Sequence, residues 1–220
     1  VPGGALAATA QRMARVALRE DVLPILAGTL VEFAQDRLRL SASDRFRIAI
    51  AELPWHPAGD ASVDAVVVPA RLLAETTKGL SATAEVGLGV GDDAEAVLGL
   101  AAEGIRATMR LVDGTFPSLA SKVPSTFIGS LTVAVEALRA ALRRVCIVAD
   151  RHAAVVLTVE RDALIVGAAG DGETRGRERL PCVCQGEPTT TAFNAGYLLD
   201  GLDALETPWA RLDYNEGVRA

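Results

Sequence analysis

The residue types that usually carry catalysis are scarce in this chain. Two histidines, His56 and His152, lack a cysteine, histidine or acidic residue at a metal-ligand spacing. The three cysteines, Cys146, Cys182 and Cys184, form no C-x-x-C pair, and a C-x-C pair on a strand is typical of small packing residues. We therefore predict a protein that is not an enzyme, binds no metal and needs no cofactor.

A glycine-rich segment, 87–91 (Gly-Leu-Gly-Val-Gly), has half of a dinucleotide-binding pattern. It lies in strand-like sequence, and Asp92 and Asp93 follow it where a nucleotide site would need the start of a helix. An anionic phosphate would meet two carboxylates there. The segment therefore favours a glycine-rich hairpin over a nucleotide site.

The basic residues follow a clearer pattern, because they recur at helical spacing. Spacings of three, four or seven residues place side chains on one face of a helix. The residues concerned lie on three predicted helices and are Arg12, Arg15, Arg19, Arg71, Lys78, Arg139, Arg143 and Arg144. A solvated helix face explains each helix taken alone. Three such helices in repeated units favour a shared surface that contacts the phosphate backbone of duplex DNA without reading its sequence.

Composition bounds the class of protein. The 220 residues include 22 basic and 28 acidic ones, with a net charge of -6, and half are hydrophobic. Such a chain folds, and it can attract nucleic acid only through a local basic surface. Its apolar runs are far shorter than the roughly 20 residues of a membrane helix, and neither a secretion signal nor a disulfide framework is recognisable. We predict a cytoplasmic protein with no membrane segment.

An internal repeat places the basic helices in equivalent positions. Segment 30–40 resembles 156–166, and 69–73 resembles 195–199, both at an offset of 126 residues. Two separate segments in one register indicate a duplication. We place the domain boundary in the proline-containing connection 116–124, which gives domains 1–125 and 126–220.

Each copy is predicted to contain a helix, a hairpin, a further strand and a second helix. The predicted helices are 4–18, 70–78 and 133–145, and the predicted strands are 29–33, 37–41, 65–68, 84–90, 96–101, 105–112, 154–159 and 163–168. The second copy has about two strands less sequence than the first. We interpret it as C-terminally incomplete, and the start on Val1 as a sign of a longer parent chain.

Five segments resemble the bacterial DNA polymerase III beta subunit, the sliding clamp, and in particular its actinobacterial members. They are 22–28, 38–49, 66–73 and 111–117, which match the second domain, and 192–202, which is similar to the F-N-x-x-Y-L-x-D-x-L signature of the third. The matches keep the family's order from about residue 5 to 205.

The resemblance implies an α+β DNA-clamp fold of duplicated helix-plus-antiparallel-sheet domains, with the helices on one face. In that family the helices line a ring around duplex DNA and the sheets form its outside. The implied function is non-catalytic: a homo-oligomer encircles or contacts DNA and confers processivity on a polymerase.

The resemblance also implies a hydrophobic pocket for short peptides of DNA polymerase, the clamp loader and other partners. Its positions fall on Leu26, Ser43, Arg47, Ile48, Pro117 and Val123. Simple core packing is the alternative for Leu26 and Ile48. Lys122 departs from the family pattern, because it would put an ammonium group on the pocket wall.

Two family elements have no counterpart in the sequence, the first domain and the terminal M-P-x-R-L strand. A second interpretation follows from them: a clamp-like domain pair that serves as the regulatory or ligand-binding part of a larger protein, such as a MerR-type transcriptional regulator.

Overall fold

Two compact units make up the structure, a computed structural model. It describes residues 1–19, 23–58, 64–91, 96–148, 154–168 and 176–215. The units are Val1–Lys122 and Val123–Ala220. Their division falls inside the predicted connection, 116–124.

The first unit builds two antiparallel sheets and two α-helices in its described residues. In chain order they are α1 (Gly3–Val16), a 3-10 helix (Pro24–Ala27), β1 (Gly28–Phe33), β2 (Arg37–Ser43), β3 (Ile48–Pro54), β4 (Ala65–Pro69), α2 (Ala70–Thr77), β5 (Gly87–Val90), β6 (Val97–Ala102), β7 (Ile105–Arg110) and a second 3-10 helix (Ala120–Lys122). The four-stranded sheet has the order β3-β2-β1-β4, and the three-stranded sheet has the order β5-β6-β7.

The second unit repeats the four-stranded arrangement. Its elements are β8 (Gly129–Ala134), α3 (Val135–Val148), β9 (Ala154–Val159), β10 (Ala163–Ala168), β11 (Arg177–Pro181), β12 (Val183–Gly186), β13 (Thr189–Asn194), α4 (Ala195–Asp203) and β14 (Trp209–Tyr214). The sheets have the orders β11-β10-β9-β13 and β12-β8-β14. β9 and β10 begin 126 residues after β1 and β2, so the duplication read from the sequence is a duplication of strands.

Alternation of apolar residues explains how the first sheet packs. Leu38 and Leu40 on β2 point to one face, where α1 and α2 also contribute their apolar residues to a single core. The opposite face carries Leu30 and Val67, which contact a smaller cluster around Phe116. Both helices therefore lie on one face of the sheet, as predicted, and the segment that leads out of β7 covers part of the other.

Several predicted boundaries are wrong, and tertiary pairing is the reason for one of them. The predicted helix 133–145 is α3, which begins only at Val135, because Val133 and Ala134 extend β8 and pair with β14. The predicted strand 84–90 is β5, which begins at Gly87. Strands β3, β8, β11, β12, β13 and β14 have no predicted range in the sequence analysis.

In the described parts of the chain, no helix combines the length and the apolar character that crossing a membrane requires.

Candidate nucleic-acid and peptide interfaces

Arg12 and Arg15 lie on α1, but Arg19 does not. Arg15 is exposed and Arg12 is half-buried, while α1 ends at Val16. Arg19 is exposed in the segment that follows. The prediction that all three arginines share one helical stripe is therefore wrong for Arg19.

The early end of α1 has a local cause. Ala17 leaves helical geometry with a ψ of 145°, although its N–H still donates to the Met13 carbonyl at 2.8 Å. The Leu18 N–H donates to the Leu26 carbonyl at 2.9 Å, and Leu18 packs against the small cluster below the first sheet. That contact draws the backbone away from the helix axis, so that α1 ends two residues before the predicted end at residue 18.

Arg71 and Lys78 are exposed at opposite ends of α2. Lys78 is the residue after the last helical one, Thr77, and its ammonium lies 4.0 Å from the carboxylate of Glu75. An exposed pair at this distance contributes little to stability. Both cations can therefore turn toward another anion at small cost.

Arg143 and Arg144, adjacent on α3, differ in their surroundings. Arg143 is exposed and has no ion pair among the described residues. Arg144 donates to both carboxylate oxygens of Glu178, each at 2.6 Å, and this hydrogen bonding lowers the pKa of Glu178. The charge of Arg144 is thus largely matched within the unit, and that of Arg143 is not.

Arg139 fastens α3 to α4. Its Nη2 donates to the Leu202 carbonyl at 3.0 Å, and its Nε lies 2.9 Å from Asp203 Oδ1 in an ion pair without hydrogen-bond geometry. It also contacts Glu136, and its side chain is 15 % exposed. These contacts favour a fastening role over the predicted contact with DNA, which stays a prediction.

In the first unit, an uncharged side chain makes the equivalent hydrogen bond between the two helices. Gln11 on α1 donates from Nε2 to the Ala74 carbonyl on α2 at 3.0 Å. Gln11 and Arg139 are 128 residues apart, and so are Ala74 and Leu202. Gln11 was missed because only charged residues were considered. Its spacing could have located it, since Gln11 lies four residues before Arg15 just as Arg139 lies four residues before Arg143.

Leu26 and Ile48, predicted for the peptide pocket, belong to the small cluster of the first unit. Leu26 is 6 % exposed and packs with Val67 and Phe116, whereas Ile48 is half-buried at its edge. Leu26 is thus a core residue of the first unit, and Ile48 is the more solvent-accessible of the two.

Ser43, Asp44 and Arg47 form a hydrogen-bonded turn between β2 and β3. Ser43 Oγ donates to the Arg47 carbonyl at 2.8 Å, and Arg47 Nε donates to Asp44 Oδ2 at 3.0 Å. Arg47 Nη2 also donates to the Arg15 carbonyl at 2.8 Å, so the turn is bonded to the last turn of α1. Arg47 therefore holds the turn in place, whatever else it binds.

The last two predicted pocket positions are exposed. Pro117 lies in the first unit, while Val123 opens the second unit and is 47 % exposed. Lys122, the residue that departs from the family pattern, is exposed at the end of the second 3-10 helix. That these positions form one pocket with Leu26 and Ile48 stays a prediction.

The thiols behave as packing residues. Cys182 and Cys184 are half-buried against the second core, and burial raises the pKa of Cys182. Cys184 Sγ lies 3.4 Å from the Tyr214 hydroxyl; burial, together with this thiol, raises the pKa of Tyr214 to about 12. Among the described residues, no three His, Cys, Asp or Glu side chains are placed to share a metal ion.

Two units that share the topology of their four-stranded sheet, each with a helix pair on one face of it, define a duplicated α+β protein of the DNA-clamp class. Comparison with known proteins agrees. Residues 1–118 match the family model described as DNA polymerase III beta subunit, central domain, and residues 121–220 match its C-terminal domain. The chain belongs to the DNA polymerase III beta subunit family, the bacterial sliding clamps.

Similar proteins come from actinobacteria and beyond. The chain is 36% identical over 214 residues to the beta sliding clamp homolog GriR of Streptomyces muensis, covering 97% of this chain and 57% of that protein. It is 32% identical over 224 residues to the beta sliding clamp of Streptomyces coelicolor, covering 100% and 59%. The sliding clamp of Bacillus subtilis shares the fold, with a TM-score of 0.91, 23% identity and coverage of 100% and 58%. The chain thus spans less than two thirds of these relatives.

Proposed function

We propose that the chain is the part of a DNA sliding clamp that contacts duplex DNA without sequence preference and docks short peptides of partner proteins such as DNA polymerase and the clamp loader. It acts by tethering and performs no catalytic step. A cytoplasmic location accompanies this role and stays a prediction, as does the regulatory alternative.

One observation carries the DNA part of the proposal. Arg15 on α1 and Arg143 on α3 are both exposed, and they are 128 residues apart, as Gln11 and Arg139 are. The duplication therefore presents an exposed guanidinium at the same place on each helix pair, although the net charge of the chain is -6. Repeated basic side chains suit a phosphate backbone, which repeats without regard to base sequence.

Fluorescence anisotropy with two duplexes of unrelated sequence tests this. The double variant Arg15→Gln, Arg143→Gln should bind both duplexes several-fold more weakly. The slope of log affinity against log salt should fall by about 2, since each lost phosphate contact removes about 0.9. Arg106→Gln, which removes an exposed arginine from strand β7, is the matched control and should change neither quantity. Equal weakening by the control would show a general charge effect and contradict the helix surface.

Assembly into a homo-oligomer is part of the same proposal. Ile147, near the end of α3, is 80 % exposed, more than any other large apolar side chain that the structure describes. Contact with a second chain would remove this apolar side chain from water, which is favourable. Sedimentation velocity of the chain checks the mass, and a change of Ile147 to a charged residue should shift it toward the monomer; an unshifted mass would exclude this contact.

A further inference from the structure

The Arg15 carbonyl at the end of α1 accepts a hydrogen bond from a side chain of another element. The last four carbonyls of an α-helix lack an intrahelical donor, and Arg15 is the residue before Val16, where α1 ends. Arg47 Nη2, just before β3, donates to this carbonyl at 2.8 Å from 32 residues away in the chain. A side chain beside the sheet therefore supplies the donor that the helix lacks.

The guanidinium of Arg47 is itself held in place. Its Nε donates to Asp44 Oδ2 at 3.0 Å, and the side chains of Arg47 and Asp44 are only 18 % and 13 % exposed. Asp44 is fixed as well, because its Oδ1 accepts from the backbone N–H groups of Phe46 and Arg47 at 3.0 and 3.1 Å. A guanidinium that bonds through two nitrogens is fixed in its orientation. Its positive charge at a helix C-terminus is also favourable for the helix dipole.

The second unit shows why the first needs this bond. Arg143 lies 128 residues after Arg15, but α3 continues past it to Val148. Inside a helix, a carbonyl accepts from the N–H four residues later. The helix itself thus fixes the backbone of Arg143, whereas α1 ends too early to do the same for Arg15.

We propose that Arg47 is a positioning residue for the contact between α1 and DNA: it fixes the backbone from which Arg15 reaches a phosphate. Without Arg47, water can satisfy the carbonyl, but the last turn of the helix is free to fray. Binding would then have to order the Arg15 side chain and its backbone, which weakens the contact. This role rests on the proposed DNA contact of Arg15.

A double-mutant cycle in DNA affinity tests the role. Fluorescence anisotropy with the full chain and a labelled duplex compares Arg15→Gln, Arg47→Met and the double variant. Arg15→Gln should weaken binding about threefold, and Arg47→Met by the same factor or less. If Arg47 acts through Arg15, the double variant should bind about threefold more weakly, as Arg15→Gln does, and not about ninefold. Its slope of log affinity against log salt should fall by about 0.9, the loss of one phosphate contact, and not by about 1.8.

Two further variants control for charge. Arg106→Gln removes an exposed arginine from β7 and should leave the affinity unchanged. Arg47→Lys keeps the positive charge but has one bonding nitrogen where the arginine uses two, so it should bind DNA more weakly than the unaltered chain. Full affinity of Arg47→Lys would mean that the charge alone is enough and would overturn the positioning role. If circular dichroism shows that Arg47→Met is unfolded, Arg47→Lys takes its place in the cycle.

The outcomes separate this role from the proposed function. Additive losses of affinity, or full affinity of Arg47→Met, would overturn the positioning role and leave the DNA contact of Arg15 intact. In the second case a lowered melting temperature would mean that Arg47 only supports the fold. Unchanged affinity of Arg15→Gln would overturn the DNA contact itself, and the positioning role with it.

Discussion

The helix pairs of the two units have the same geometry but different chemistry. In the first unit a neutral side chain, Gln11, joins α1 to a carbonyl of α2. In the second, Arg139 makes the equivalent bond from α3 to α4 and adds an ion pair with Asp203. The two copies thus make the same contact between helices from equivalent positions, with an amide in the first copy and a guanidinium in the second.

This difference shows that arginines at helical spacing are not equivalent. Arg139 and Arg143 lie one helical turn apart on α3, yet the first is mostly buried by its contacts and the second is exposed. A guanidinium that already satisfies a carbonyl and a carboxylate has little left to offer a phosphate. Which arginines can form a basic surface for DNA therefore depends on the contacts that each one already makes within its own unit.

The largest expected effect is on the free energy of unfolding, when equivalent leucines in the two cores are replaced. Leu38 and Leu164 are 126 residues apart in equivalent strands, and both are fully buried. Leu38→Ala and Leu164→Ala should each lower the free energy of unfolding by about 3 kcal/mol, because each leaves a cavity. Urea denaturation followed by circular dichroism measures this. Leu72→Ala, at a residue 46 % exposed on α2, is the control and should cost less than about 0.5 kcal/mol. Very unequal costs would mean that the duplicated cores are packed differently.

The second prediction compares the contacts that Arg139 and Gln11 make between the helices of their units. Arg139→Met should cost about 2 kcal/mol, because it removes both the charged hydrogen bond to the Leu202 carbonyl and the ion pair with Asp203, whereas Gln11→Met should cost about 1 kcal/mol. Thermal unfolding measures both. We expect neither variant to change the affinity for DNA. A stable Arg139→Met variant with weaker DNA binding would instead support the predicted DNA contact and remove the distinction between Arg139 and Arg143.

The smallest expected effect depends on pH. The pKa values of Glu178 in the second unit and Glu52 in the first are both lowered from 4.5, by hydrogen bonds from Arg144 and mainly Arg39. A lowered carboxyl pKa stabilises the fold above the unfolded value, and this stabilisation is lost as the pH falls through the folded value. Melting temperatures of Glu178→Gln and Glu52→Gln should thus lie slightly below that of the unaltered chain at pH 7, and converge with it as the pH falls from 4.5 through the lowered pKa of each carboxyl group. A constant difference across this range would mean that the carboxyl charge is not involved.

Much of the fold could be predicted where the pattern was long and local. The bounds of β9 and β10 match the prediction at 154–159 and 163–168, because a turn with charged residues separates two clearly apolar runs. The end of α1 could not be predicted in this way, since it depends on a contact between Leu18 and Leu26. β8 was missed for a similar reason: only its pairing with β12 and β14 distinguishes it from the helix that follows.

The candidate sites were predicted less well than the fold. The eight basic residues and six pocket positions were named from spacing and resemblance, but spacing does not reveal burial. Arg139 is fastened to a carbonyl 63 residues away in the chain. The exposure of Phe46 was missed, although Ser43 and Arg47 on either side of it were named.

The sequence by itself determined the duplication, the α+β class, the family and the helices on which most of the basic residues lie, because these follow from local periodicity and from motifs contiguous in the chain. Only the tertiary structure decided which of those basic residues remain exposed, that Leu26 is packed in a core, and that Phe46 stands in solvent on a rigid turn. Burial and hydrogen bonding depend on residues far apart in sequence. Such contacts exist only after the helices and sheets have packed.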